Sequence, residues 1–273
     1  MYFSVSNNYK FDKSKMDFNY AILSDLKKLN DLYSNEIYKG NKVAYYYEAM
    51  DGSILSYNPD ICFYAASSIK ILVCLKLFMD ASDNKINLHD KILVKKEELK
   101  PGSGIIRKNK KDVSYEILDL IRLTLVESDN TAYLKLVGLI GKDKLKDFGN
   151  SMGAIHTMEG KETDSFGIIN CSDMIIYWKK VMEFINNNKQ YGKTFRSYLI
   201  DPSFKIIDLN NLDNNIFIRK YGEWDIAYHE AGYVDGKKPY YLIVLTQLNK
   251  KRYRKSFINK TAKMINDINN KLV

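Results

Sequence analysis

Cysteine and histidine are both scarce in this chain, with three of each in 273 residues. The cysteines, Cys62, Cys74 and Cys171, contain no C-x-x-C pair, and an odd number cannot complete a disulfide framework. Two of them lie in apolar runs, so they read as small core hydrophobes. His89, His156 and His229 are far apart and lack metal-ligand spacing, so neither a metal nor a cofactor is expected. No apolar run approaches the ~18 residues of a membrane span. The opening stretch, MYFSVSNNYKFDKSKMDFNY, lacks the uninterrupted apolar run of an export signal. The chain as read has no membrane span and no signal, and a chain whose export segment had been removed would read the same way. The net charge of +9 comes without an Arg-rich stripe, zinc spacing or RNA-binding signature. It reflects lysine spread along the whole length, and nucleic acid is not expected as a partner.

What remains is ordinary for a soluble globular protein: 45% hydrophobic and 27% charged residues, enough for one large domain or two lobes sharing a core. Residues 19–38 repeat Ile22, Leu26, Leu29, Leu32 and Ile37 at roughly helical spacing. KVAYYYEA and SILSYN follow, separated by Met50-Asp51-Gly52, and read as a hairpin. Ser67 to Asp80 reads as a buried helix, and residues 81–205 as helical. Within that block, SYEILDLIRLTLVESD has Ser114 and Glu116 near its start, TAYLKLVGLIG ends on a glycine, and SDMIIYWKKVMEFINN takes Ser172 or Asn170 as its cap. NIFIRKYG, DIAYHEAGYV and PYYLIVLTQL, punctuated by Gly222 and Asp235-Gly236, read as antiparallel strands. KSFINKTAKMINDINNKL closes the chain as a helix. The order predicts an α+β fold: an antiparallel sheet with strands from both chain ends, flanked by N- and C-terminal helices, with a helical lobe inserted.

In FYAASSIKILVCLKLFM, a lysine stands at the head of an apolar helix, where lysine is rarely buried without a partner. Lys70 either faces water or is held near Ser67, which lies three residues earlier on the same helix face. Ser-x-x-Lys also occurs at Ser24/Lys27 and Ser82/Lys85, so the motif alone decides little. Ser128-Asp129-Asn130 interrupts two apolar helices, as either a cap or a cleft wall; a second Ser-Asp-Asn, at 82–84, has turn composition. Lys220-Tyr221-Gly222 ends a β-run, where a glycine permits close approach.

The order S-x-x-K, S-D-N, K-x-G, with Ser67 and Ser128 61 positions apart, resembles the class A β-lactamases and penicillin-binding proteins. PGSGIIR and HEAGYVDGKKPYYLIVLTQ also look like that family, and the resemblance extends from about residue 20 to 270. It implies a single β-lactamase/transpeptidase-like domain, with an α/β lobe of about 19–66 and 206–273 and a helical lobe of about 67–205. It also implies a serine acyl-enzyme mechanism. Ser67 would be the nucleophile and Lys70 its base, with a pKa lowered by partial desolvation and by Lys220. Ser128 would relay a proton to the leaving nitrogen. Asn130, Tyr221, Gly222, Glu223 and Asn170 would contact substrate, and the Ser67 and Glu223 N–H groups would form the oxyanion hole. An alternative placement of HEAG on the K-x-G position, putting Glu230 in the cation's place, leaves too few strands and is rejected.

Two positions depart from the family pattern. Tyr221 replaces the threonine of K-T-G and would either donate a phenol or fill space. In ETDSFGIINCSDM, Asn170 matches the end of E-x-x-L-N, but Phe166 stands where the deacylating glutamate would be. Glu159, Glu162 and Asp164 are nearby at the wrong spacing. The resemblance thus implies a monomer, without cofactor, that β-lactams acylate and leave slowly. The alternatives are a D,D-carboxypeptidase or transpeptidase acting on D-Ala-D-Ala peptides, a non-catalytic β-lactam or peptidoglycan sensor, and, more remotely, a serine glutaminase. Its substrates would place it outside the cytoplasm.

Overall fold

The computed structural model describes residues 16–160 and 165–272; Glu162, Asp164 and most of the N-terminal stretch read for a signal lie outside them. The chain divides into two compact units. One comprises the described residues through Phe63, Asn170–Ile175 and the residues from Ile206 onward; the other comprises Tyr64–Ile169 and Ile176–Lys205.

The first unit is a five-stranded antiparallel sheet with two helices on one face. Its strands are β1 (Lys42–Ala49), β2 (Ile54–Tyr57), β7 (Ile216–Trp224), β8 (Ala227–Asp235) and β9 (Tyr240–Gln247), in the order β2-β1-β9-β8-β7. The chain ends meet where β1 pairs with β9, from Lys42 opposite Gln247 to Ala49 opposite Tyr240. The β1–β2 hairpin turns at Asp51-Gly52, where Gly52 has φ +86. The β7–β8 turn falls at Asp225-Ile226, so Gly222 lies inside its strand and does not end it.

Helices α1 (Met16–Tyr38) and α8 (Lys251–Lys271) cover the sheet with Ile22, Leu29 and Tyr33 from one, and Phe257, Ile258, Ala262 and Ile265 from the other. The α1 stripe is therefore Ile22, Leu26, Leu29, Leu32 and Tyr33, and Ile37 faces outward. The abundance of tyrosine has a packing reason. Tyr33, Tyr47 and Tyr240 bury their rings here while their hydroxyls donate to Thr261 Oγ1, Asn269 Oδ1 and Asn266 Oδ1 on α8.

Glu230, on β8 opposite Tyr221, is fully buried and accepts from the Ile206 and Ile207 N–H groups, with Arg219 Nη1 at 3.8 Å. Glu230→Ala is expected to cost about 3–5 kcal/mol, because it strands the Arg219 charge and two buried donors. Burial pushes the Glu230 carboxyl above its ordinary value, outweighing the pull of Arg219 and the two N–H groups. A raised carboxyl pKa adds stability below about pH 4.5 that is lost as pH rises through the folded value. The advantage of wild type over Glu230→Gln should therefore shrink with rising pH in urea titrations. An advantage that grows with pH would mean that the Arg219 pair dominates.

The second unit is built around α2 (Lys70–Ser82), which is buried on nearly all sides, as its continuous apolar run requires. Around it lie α3 (Ile117–Val126), α4 (Asn130–Ile140), α5 (Lys142–Ser151), most of α6 (Cys171–Asn187) and α7 (Gly192–Ile200). Phe78 of α2 packs its ring 4.7 Å from that of Phe195. The stretch expected to begin a helix at Ser114 instead forms β5 (Val113–Glu116), paired antiparallel with β4 (Lys91–Val94); the helix starts at Ile117. The alternation of Val113 and Tyr115 suits the hairpin, and cross-strand pairing overrides the local helical signal. Two further strands, β3 (Phe63–Tyr64) and β6 (Ile168–Ile169), have two residues each. The three cysteines are free thiols; Cys74 and Cys171 are buried and Cys62 is partly exposed. No helix among the described residues is long and apolar enough to cross a membrane.

Candidate active site

Ser67 lies on a 3₁₀ turn, Ala66–Ile69, that runs directly into α2, whose first residue is Lys70. Ala66 has φ +47, a left-handed conformation that costs a residue with a β-carbon about 1–2 kcal/mol. The strain is located immediately before the candidate nucleophile, where it sets the direction of the chain. The Ser68 hydroxyl donates to Ala65 O at 2.5 Å and ties the turn together.

Lys70 is completely buried, and its partners account for that. Nζ donates to Ser128 O at 2.6 Å, to Ser128 Oγ at 3.3 Å and to Asn130 Oδ1 at 2.8 Å. These contacts bridge 58 and 60 positions of chain and bring the first two motifs together within one unit.

The cap reading of Ser-Asp-Asn holds for its central residue. Asp129 is the N-cap of α4, accepting from Ala132 N at 3.0 Å. Its other oxygen accepts from Ile106 N at 2.8 Å. The flanking Ser128, at φ +51, and Asn130 meet Lys70. The loop PGSG packs against this turn, and its two glycines take the positive φ values +96 and +111 that favour glycine. A β-carbon on Gly104 would fall 2.1 Å from Asp129 Oδ2, and one on Gly102 2.6 Å from Asn130 Nδ2. Asn130 is oriented from both ends, since its Nδ2 donates to Pro101 O at 3.0 Å.

Phe166 lies in the same unit, with its ring centroid 5.6 Å from Lys70 Nζ. Glu159, the described carboxylate of that segment, pairs with His156 Nδ1 at 2.8 Å. Asn170, expected to contact substrate, serves as the cap of α6. Its Oδ1 accepts from Asp173 N at 2.7 Å and its Nδ2 reaches Asp60 O at 3.5 Å.

The third motif belongs to the sheet unit, on β7. Lys220 is buried; its Nζ donates to Tyr221 O at 3.2 Å and stands 4.2 Å from the Tyr221 ring centroid. The Tyr221 side chain belongs to the apolar core beneath α1 and α8, as does Phe217. Gly222 pairs opposite His229, and the exposed Glu223 opposite Tyr228. His229 is buried and accepts from Thr246 N through Nδ1, a structural role. Among the described residues no group of His, Cys, Asp or Glu side chains is arranged to hold a metal ion.

Reading the sequence missed Tyr133, whose ring centroid is 5.5 Å from Lys70 Nζ. The signal for it was its position three residues after Asn130, on the same face of α4. The role of Gly102 and Gly104 was also missed, although PGSG itself stood out.

The model of the Beta-lactamase enzyme family matches residues 26–269. Among proteins of established sequence, β-lactamase PSE-4 of Pseudomonas aeruginosa is 29% identical over 107 residues, 39% of this chain. The match spans 37% of that relative, little more than a third of its length. Among solved structures, PBP-A superposes with a TM-score of 0.82 at 18% identity, covering 91% of this chain and 97% of that one. A β-lactamase from Sphaerobacter thermophilus superposes with a TM-score of 0.78 at 19% identity, covering 89% and 96%. At these identities the superpositions show the fold, α+β with an antiparallel sheet. The family match, extending over most of the chain, assigns the rest: the chain belongs to the Beta-lactamase enzyme family.

Proposed function

We propose that this protein is a serine acyl-enzyme hydrolase that β-lactams acylate at Ser67 and leave slowly. The observation that carries the reading is the hydrogen bonding of buried Lys70 to Ser128 and Asn130, one helical turn after Ser67. In this mechanism Ser67 Oγ attacks the lactam carbonyl and its proton passes to Lys70, directly or through Ser128. The carbonyl–nitrogen bond breaks, and Ser128 delivers a proton to the leaving nitrogen. The Ser67 and Glu223 N–H groups would hold the oxyanion, worth ~2.7–4 kcal/mol per donor. The motif order assigns Lys220 to the substrate carboxylate.

Hydrolysis of the ester then requires a base for water. Phe166 stands where the family pattern has that glutamate, and Glu159 is engaged with His156. The same observation favours a second reading, a penicillin-binding D,D-peptidase whose natural acyl donor ends in D-Ala-D-Ala. PBP-A supports the acylation step for this fold, since a variant of it has been solved as an acyl-enzyme complex with penicillin G.

The test is intact mass after incubation with benzylpenicillin, followed over time, with Ser67→Ala as control. The expected result is a one-to-one adduct on wild type only that persists. Release of D-alanine from a D-Ala-D-Ala peptide would then assign the peptidase reading. Rapid loss of the adduct with hydrolysed product would mean an efficient β-lactamase, and absence of any adduct would overturn the mechanism.

A further inference from the structure

We infer that Tyr133 is a positioning residue that clamps Phe166 over Lys70, and that the two rings bar water from an acyl group on Ser67. The inference rests on the acyl-serine reading and names the part of the chain that sets the lifetime of the adduct.

The two rings lie 5.0 Å apart at 33°, and each has its centroid close to Lys70 Nζ, at 5.5 and 5.6 Å. Lys70 Nζ therefore has among its neighbours the oxygens of Ser128 and Asn130 and two aromatic rings that neither accept a proton nor orient a water. Tyr133 is fully buried, and its phenol donates to Ser165 O at 2.5 Å, the carbonyl adjoining Phe166. One side chain thus packs on the Phe166 ring and holds the backbone that carries it.

The far side of Phe166 is fixed as well. Gly167 turns at φ +65, where a β-carbon would meet Glu159 O at 2.6 Å, and Ile168 N donates to that same carbonyl. Gly167 O accepts from Ala65 N at 3.0 Å, two residues before Ser67, so the segment bearing Phe166 is bonded to the backbone leading into the nucleophile. Tyr64 adds a third ring, 6.4 Å from Phe166. A ring held by packing, by a hydrogen bond to its neighbour's carbonyl and by a glycine turn cannot swing aside to admit water without breaking several contacts together. Exclusion of water from a closed site suppresses hydrolysis of a reactive intermediate.

The experiment acylates wild type, Tyr133→Ala, Tyr133→Phe and Phe166→Ala with benzylpenicillin, removes the excess and follows the adduct by intact mass. Lifetime is read from protein already acylated, so it is independent of the acylation rate. Tyr133→Ala and Phe166→Ala should each shorten the lifetime about tenfold, a fraction of the ~10²–10⁴-fold that a positioned base supplies. Tyr133→Phe, which keeps the ring, should restore most of the lifetime. A merely structural role would lower the melting temperature of the acylated protein and leave the lifetime unchanged. If Tyr133→Ala does not fold, Phe166→Ala carries the same test. Adducts on the alanine variants that last as long as on wild type overturn the clamp and leave the acyl-serine reading intact. Failure of wild type to form an adduct overturns both.

Discussion

Lys70→Met is expected to slow acylation of Ser67 by about 10³-fold, within the ~10²–10⁴-fold range for a positioned general base. Methionine has nearly the length of lysine and no proton-accepting nitrogen, so it removes the base without opening a large cavity. It also leaves Ser128 O and Asn130 Oδ1 without their donor, so some loss of stability accompanies the kinetic effect. Lys70→Arg separates the two contributions. Arginine keeps a positive charge and hydrogen-bond donors in reach of the same oxygens but does not give up a proton in proteins. Stopped-flow acylation with a fluorescent penicillin should find both variants slow. Recovery of the rate in Lys70→Arg would show that the residue supplies charge alone, and the proton would then have to leave Ser67 by another route.

Phe166→Glu should work in the opposite direction, shortening the life of the acyl-enzyme by at least ~10²-fold. The position is already within reach of Lys70 Nζ, judged from the ring it now carries. A carboxylate there gains the Lys70 Nζ donor to orient it and becomes the acceptor for a proton from water. Removal of the Phe166 ring also opens the space that the water must enter. The measurement is steady-state hydrolysis of nitrocefin together with adduct lifetime, expecting a burst to be replaced by turnover. The effect depends on placement, because an error of about 1 Å can cost ~10²-fold. An unchanged lifetime would mean that Tyr133 still closes the approach, and the double variant with Tyr133→Ala should then release it. If neither variant turns over, slow deacylation is not caused by this position.

Much of the architecture was legible because its signals are local. The aromatic and β-branched runs KVAYYYEA and PYYLIVLTQ, the Asp-Gly turn between β1 and β2, and the amphipathic closing helix each declare themselves within a few residues. Ser67 and Lys70 declare their relation as well, since one helical turn brings i and i+3 to the same face. The misreadings came where two local signals compete or where a partner is distant. Val113–Glu116 reads as the head of a helix until β4 pairs with it, and β7 runs through Gly222 because β8 continues opposite it.

The sequence by itself determined most of the elements, the order of the three motifs and the absence of a glutamate at position 166. Only the tertiary structure decided what those residues touch. Lys70 reaches Ser128 and Asn130 across about 60 positions of chain, Asp129 joins the α4 cap to Ile106, and Tyr133 reaches the carbonyl of Ser165. The physical reason is range. Backbone periodicity fixes which face of a turn a side chain occupies, and its information fades within a few residues. Which distant side chain fills the space opposite depends on packing the whole unit, and no local pattern records it.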